Sequence, residues 1–258
     1  MYLDTPEPPA DPKAQRAADR RRLGTALKLA VGFIALLVVM FGVQHMIDWR
    51  PFAVAPREAL GLLGVLTAPL LHGSPEHLFT NATALLMLGT LAFTLYPRAT
   101  PRALPLVWLG AGLCAWWLGD PGSRHLGASG LTHGLMFLLF VLGLLRRDRP
   151  SVAAGMIAFF FYGGMLLTVL PQEPGVSWQS HLGGAVGGVL AAWLFRASDP
   201  RPPRRRYSWE LEEEQAEQDA AREHDQFESR AADDVPVLWQ RDEPRHGQIL
   251  EFRRKDPP

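Results

Sequence analysis

The chain has 258 residues, with 26 Lys and Arg against 26 Asp and Glu, a formal net charge of zero and a mean hydropathy of +0.01. The balanced charge offers no electrostatic footprint for nucleic acid. A single cysteine, Cys114, excludes an intrachain disulfide framework and a cysteine-based zinc site. Pro and Gly without period exclude a collagen-like fibre. The averages conceal a division, because only 14 of the 52 charged residues lie between positions 30 and 195. That stretch is too poor in charge for a soluble domain.

In chain order, residues 1–22 carry four prolines and many charges and read as a flexible tail. Seven charge-free windows follow, at 29–47, 59–75, 77–97, 103–119, 125–145, 150–172 and 174–195. About 20 apolar residues are needed to cross roughly 30 Å of hydrocarbon as a helix. Six windows fit or nearly fit. The window 59–75 is short, interrupted by Pro69 and closed by His72-Gly73-Ser74-Pro75, the pattern of an interfacial or re-entrant segment. Arg20–Arg22 before the first window and Ala53-Val54-Ala55 after it resemble parts of a signal peptide. The apolar stretch is long for that, and the Ala-x-Ala lies far beyond it, so an uncleaved span is the better reading.

Charge placement decides between six spans and seven. With six, the Arg16–Lys28 run, Arg98 and Arg102, Arg146, Arg147 and Arg149, and the Arg196–Arg206 cluster share one side. The opposite side keeps Arg50, Arg57 and Arg124. The positive-inside bias therefore predicts an all-α membrane protein with six transmembrane helices and both termini cytoplasmic. The expected divisions are a flexible cytosolic tail at 1–26, a six-span domain at 27–196 and a charged cytosolic tail at 197–258, in which 208–230 has the composition of a charged helix.

Polar residues inside spans are costly and mark function by default. His72, His77 and Asn81 lie on or just before span two, Ser129 and His133 on span four, and His181 on span six. All fall at the ends remote from the arginines, so three separate clusters meet in one layer. His77 and Asn81, four apart, share a helix face. A metal reading of His72 and His77 fails on geometry, since five residues turn a helix by about 140° and no acidic residue within a span completes a shell. Gly127-Ala128-Ser129-Gly130 sets a serine among small residues at a helix start, where free N–H groups favour an anion. Alone it equally fits a close helix contact. Gly184 and Gly188 after His181 form a small-xxx-small face that would bring span six against span four, placing His181 beside Ser129. An imidazole beside a hydroxyl is the minimum of an activated nucleophile.

His72-x4-His77-x3-Asn81, Gly127-x-Ser129-Gly130, and His181 with Gly184 and Gly188, in this order on spans two, four and six, resemble the rhomboid intramembrane serine proteases over roughly residues 27–195. The resemblance implies a six-helix rhomboid-like bundle in which Ser129 is the nucleophile and His181 the general base. It implies an oxyanion hole of His77, Asn81 and the Ser129 N–H, with His72 in support and Gly127 giving close backbone approach. It further implies substrates that are single-span membrane proteins, cut near the trans face, and no cofactor or metal; the short loops and the absence of an extra span point to a bacterial inner (plasma) membrane location. Two positions depart from the family pattern. The aromatic residue common four places after the serine is here His133, which shares a face with Ser129 and competes with His181 as base, although the match favours His181. A Trp-Arg pair often found shortly before the first motif histidine is displaced, with Arg50 lying 22 residues before His72. A non-catalytic relative that escorts single-span clients is the main alternative; a channel or transporter lacks the inverted repeat or mid-span polar path it requires. Oligomeric state and the physiological substrate are left open.

Overall fold

The computed structural model describes residues 11–171, 175–201 and 208–227. The described residues fall into two units, 11–201 and 208–227. Among the described residues the fold is helical, with no strand beyond an isolated antiparallel bridge between Val54 and His125.

Helix α1 spans Pro12–Gln44. Its start corrects the expectation of a flexible segment to residue 26. The Asp11 side chain accepts from the N–H groups of Lys13 and Ala14, and Pro12 occupies the first turn. Cap and proline together specify a helix start, and the Ala- and Arg-rich run behind them favours propagation. The rest of that segment, residues 1–10, lies outside the described residues. At 1.5 Å per residue the 33 residues of α1 extend about 50 Å, well over the bilayer core.

The window 59–75 holds only a seven-residue helix, α2 (Gly61–Thr67), and a 3-10 turn at Ala68–Leu70. Leu60, Leu62, Leu63 and Leu66 are exposed along it. Its inner side is held by the Trp108 indole, which donates to the Val65 carbonyl at 3.1 Å. The remaining helices are α3 (Pro75–Leu95), α4 (Ala99–Leu118), α5 (Ser129–Arg146), α6 (Arg149–Tyr162, continued by a 3-10 segment Gly163–Val169) and α7 (Trp178–Phe195). In the second unit, Ser208–Phe227 forms the charged helix α8, with an Asp219–Arg222 ion pair at 3.8 Å. The remainder of the expected C-terminal tail, from 228 onward, lies outside the described residues.

Among the described residues four stretches are long and apolar enough to cross a membrane: Pro12–Gln44, Pro75–Leu95, Ser129–Arg146 and Arg149–Val169. Their outward side chains are large and apolar, with Val39 at 60%, Phe160 at 80% and Phe161 at 63% exposure. A belt of that kind needs lipid rather than water around it. Helices α4 and α7, of 20 and 18 residues, fall outside those four; α4 carries Arg102 and Pro105, and α7 opens on Trp178, Gln179, Ser180 and His181.

Small residues are what α7 needs for its place in the bundle. On one face, a Cβ at Gly183 or Gly187 would run into the backbone of α4 at Gly110, Leu106 or Val107. On the neighbouring face, a Cβ at Gly184 or Gly188 would overlap the carbonyls of Gly130 and Gly134 on α5. Close backbone approach of this kind lets helices associate where lipid removes the hydrophobic driving force between them. Helix α5 runs through the middle, with Leu135, Leu138, Leu139 and Leu142 almost fully enclosed.

The arginine-rich end differs from expectation in one respect. Arg146, counted among the arginines that set the topology, is buried at 4% exposure. Its guanidinium bonds the Asp148 carboxylate and Ser151 hydroxyl, each at 3.2 Å, and reaches the carbonyls of Arg196, Asp199 and Pro200 beyond α7. A five-donor fork suits this collection of acceptors. The Asp199 carboxylate accepts from the N–H groups of Arg98 and Ala99, both at 2.9 Å, and so caps α4 from 100 residues away. Asp199→Ala would leave those two donors unpaired in a buried corner. It is expected to lower stability by about 2–3 kcal/mol, read as an earlier thermal transition in detergent with the distant site unaffected.

Candidate active site

Ser129 occupies the first position of α5, and Ala128 supplies no side-chain cap. The first-turn N–H groups of Ser129 and Gly130 have no carbonyl one turn back to bond. Gly127, just before, has φ +111°, a conformation open to glycine at little cost. Its N–H donates to the Ala68 carbonyl at 2.9 Å. A Cβ there would stand 2.5 Å from His77 Cε1 and 2.7 Å from Nε2. Gly127 therefore lets the His77 imidazole lie against the peptide that leads into Ser129.

His181, in the first turn of α7, places Nε2 2.8 Å from Ser129 Oγ. Its Nδ1 faces the Thr168 carbonyl at 3.0 Å. A carbonyl only accepts, so Nδ1 carries the proton and Nε2 is left to accept from the serine hydroxyl. That is the tautomer a general base requires. His133 does not compete for the hydroxyl. Its Nδ1–H donates to the Ser129 carbonyl at 2.7 Å, and its Nε2 meets the Thr168 hydroxyl at 2.8 Å. The ring stacks on His181 with centroids 3.9 Å apart and planes 13° from parallel. His133 thus fills the place of an aromatic against the base.

On the facing helix, the Ser74 hydroxyl caps α3 by accepting from the His77 N–H at 3.1 Å. Asn81 is 3% exposed and gives one amide hydrogen to the His77 carbonyl at 3.0 Å. His72 is apart from this group. It is fully buried, and its backbone is held on both sides by the Gln44 carboxamide. Its ring meets that of His77 edge to face at 5.2 Å.

These residues line a cavity of about 960 Å³ that includes His77, Asn81, Ser129, His133 and His181 and leaves His72 out. Toward its rim, His125 ties two loops together. Its Nδ1 lies 2.7 Å from the Ser177 hydroxyl and its Nε2 2.9 Å from that of Ser123, which itself donates to the Asp120 carbonyl. Burial pushes the His125 imidazole below its ordinary pKa, against the weaker pull of Asp120. Neutral imidazole at pH 7 suits this arrangement of one donor and one acceptor. Sequence reasoning missed His125, Ser177 and Thr168. His125 has a histidine's signal but no spacing to a partner, and Thr168 contributes partly through a carbonyl, which every residue has.

A helical membrane bundle with Ser, His and Asn converging at one end defines a rhomboid-type architecture, and the comparisons agree. The family described as Rhomboid domain matches residues 60–198, and the chain belongs to the rhomboid family. Among its relatives are uncharacterized proteins of Mycobacterium tuberculosis (strain ATCC 25618 / H37Rv) and Mycobacterium bovis. Each is 38% identical over 177 residues, covering 65% of this chain and 74% of the relative. An uncharacterized protein of Mycobacterium leprae is 39% identical over 146 residues, 54% of this chain and 58% of the relative.

Proposed function

We propose that the protein is an intramembrane serine endopeptidase with six transmembrane helices, α4 and α7 being the two beyond the more apolar four. Both termini are then cytoplasmic, the membrane is a bacterial inner membrane, and the cavity opens toward the trans face. The observation that supports this reading above all is the 2.8 Å contact between Ser129 Oγ and His181 Nε2, with His181 Nδ1 bonded to a carbonyl.

The substrates are single-span membrane proteins. In lipid their carbonyls are bonded within a helix, so the segment to be cut must unwind, and Gly, Pro or polar residues near it favour cleavage. Ser129 Oγ attacks the exposed carbonyl carbon as its proton passes to His181 Nε2. The oxyanion is held by the Ser129 N–H, His77 and the second amide hydrogen of Asn81. Collapse breaks the C–N bond, and His181 gives its proton to the leaving amine. Water, deprotonated by His181, then attacks the acyl ester and releases the new carboxyl terminus and free Ser129. The cavity around these groups, about 960 Å³ and lined in part by Ser, Thr, Asn and His side chains, offers that water a place.

The test is cleavage of a single-span substrate by the purified protein in liposomes. Asn81→Ala is expected to lower kcat by about 100-fold with KM nearly unchanged, because an oxyanion donor acts chiefly in the transition state. An intact protein that binds the substrate and never cuts it would support the non-catalytic, escorting reading instead.

A further inference from the structure

A serine–histidine pair without a carboxylate needs something else to orient the imidazole. Here Thr168, at the end of the 3-10 segment after α6, touches both histidines. Its carbonyl accepts from His181 Nδ1–H at 3.0 Å, and its hydroxyl lies 2.8 Å from His133 Nε2. His133 in turn carries His181 on its face and is anchored by Nδ1 to the Ser129 carbonyl. Two imidazoles, a serine and one threonine form a closed ring of contacts.

We infer that Thr168 is the positioning residue of this site, its carbonyl fixing the tautomer of His181 and its hydroxyl fixing the ring on which His181 rests. The inference rests on the serine protease reading above. The chemistry of each atom fits the role. His133 donates from Nδ1, so in its neutral form Nε2 is an acceptor, and the Thr168 hydroxyl supplies the proton. Neutral His133 is what a stacked base requires, since an imidazolium 3.9 Å away would oppose the positive charge His181 acquires in the transition state. When that charge forms, the bond from His181 Nδ1–H to the Thr168 carbonyl becomes charge-assisted and strengthens. The carbonyl thus does part of what a carboxylate does in a triad. The Met165 carbonyl, 3.1 Å from the same hydroxyl, competes for its one proton, and the 2.8 Å contact to His133 Nε2 is the shorter of the two.

Thr168→Val keeps the shape and the carbonyl and removes only the hydroxyl. Buried His133 Nε2 then has no donor, and the ring on which His181 rests keeps only its Nδ1 anchor to the Ser129 carbonyl. With a single-span substrate in liposomes, kcat is expected to fall about tenfold at unchanged KM, on the scale of one lost buried hydrogen bond. Thr168→Ser retains the hydroxyl and should recover activity to within about threefold of wild type. In a His133→Phe background, which lacks the acceptor, Thr168→Val should cost nothing further. A wild-type kcat for Thr168→Val would overturn the inference, as would a Thr168→Ser variant as impaired as Thr168→Val. If Thr168→Val fails to insert, His133→Phe alone carries the test, with the same tenfold loss expected and wild-type activity contradicting it. A wild-type protein that neither cleaves nor reacts at Ser129 overturns the protease reading itself, a result distinct from all of these.

Discussion

Ser129→Ala is expected to abolish cleavage of a single-span substrate while the bundle still inserts and melts as wild type does. Ser129 is only half-buried, and its loss removes one hydroxyl from a helix start whose backbone is set by Gly127 and Ala128. The structural cost is small. The chemical cost is the nucleophile, on the order of 10⁴-fold or more in kcat. His181→Ala should be as severe, and the double variant no worse than either, since the two act as one unit. His133→Ala should retain measurable turnover, because its ring nitrogens bond the Ser129 carbonyl and Thr168 rather than the serine hydroxyl. Substrate and product quantified after incubation in liposomes read all four variants. Activity near wild type for His181→Ala together with a dead His133→Ala would reverse the base assignment.

Gly184→Val carries the second large effect, and it works at a distance from the reacting atoms. A Cβ at 184 would overlap the Gly130 carbonyl, one residue after Ser129. The helices α5 and α7 must part to admit it, and Ser129 and His181 sit on those two helices. Overpacking of this kind costs about 1–3 kcal/mol of stability. A misplacement near 1 Å in the reacting groups costs about 100-fold in rate. Gly184→Val is therefore expected to lose about 100-fold in kcat and to melt earlier. Gly42→Ala, where nothing lies within 4 Å of the added carbon, is the matched control and should retain wild-type turnover. Equal activity in the two variants would mean that the α5–α7 contact does not set the site.

That the core is built of apolar helices was legible because charge is so sparse between positions 30 and 195. The start of α1 was misread, since prolines and charges suggested a flexible segment. Asp11-Pro12 was in fact a cap followed by a permitted first-turn proline. Arg146 was read from its type alone, and a buried role depends on carbonyls at 196, 199 and 200 that only the fold brings near it. The glycines of α7 were legible as a small-residue face, and they seat the helix between α4 and α5. In the site, Ser129, His181, His77 and Asn81 could be picked out because polar groups stand out among apolar neighbours. Thr168 stood in the apolar run Gly163–Val169 with no motif around it. Its carbonyl has no sequence signal at all, and its hydroxyl gains meaning only once His133 is 2.8 Å away.

The most direct measurement is reaction of the liposome-embedded protein with a fluorophosphonate, with the modified residue located by mass spectrometry. An activated serine paired with imidazole predicts a single adduct on Ser129, reduced at least 100-fold in His181→Ala and retained in His133→Phe. A preparation that cleaves its substrate yet carries no adduct on Ser129, or carries it undiminished in His181→Ala, would contradict the Ser129–His181 account.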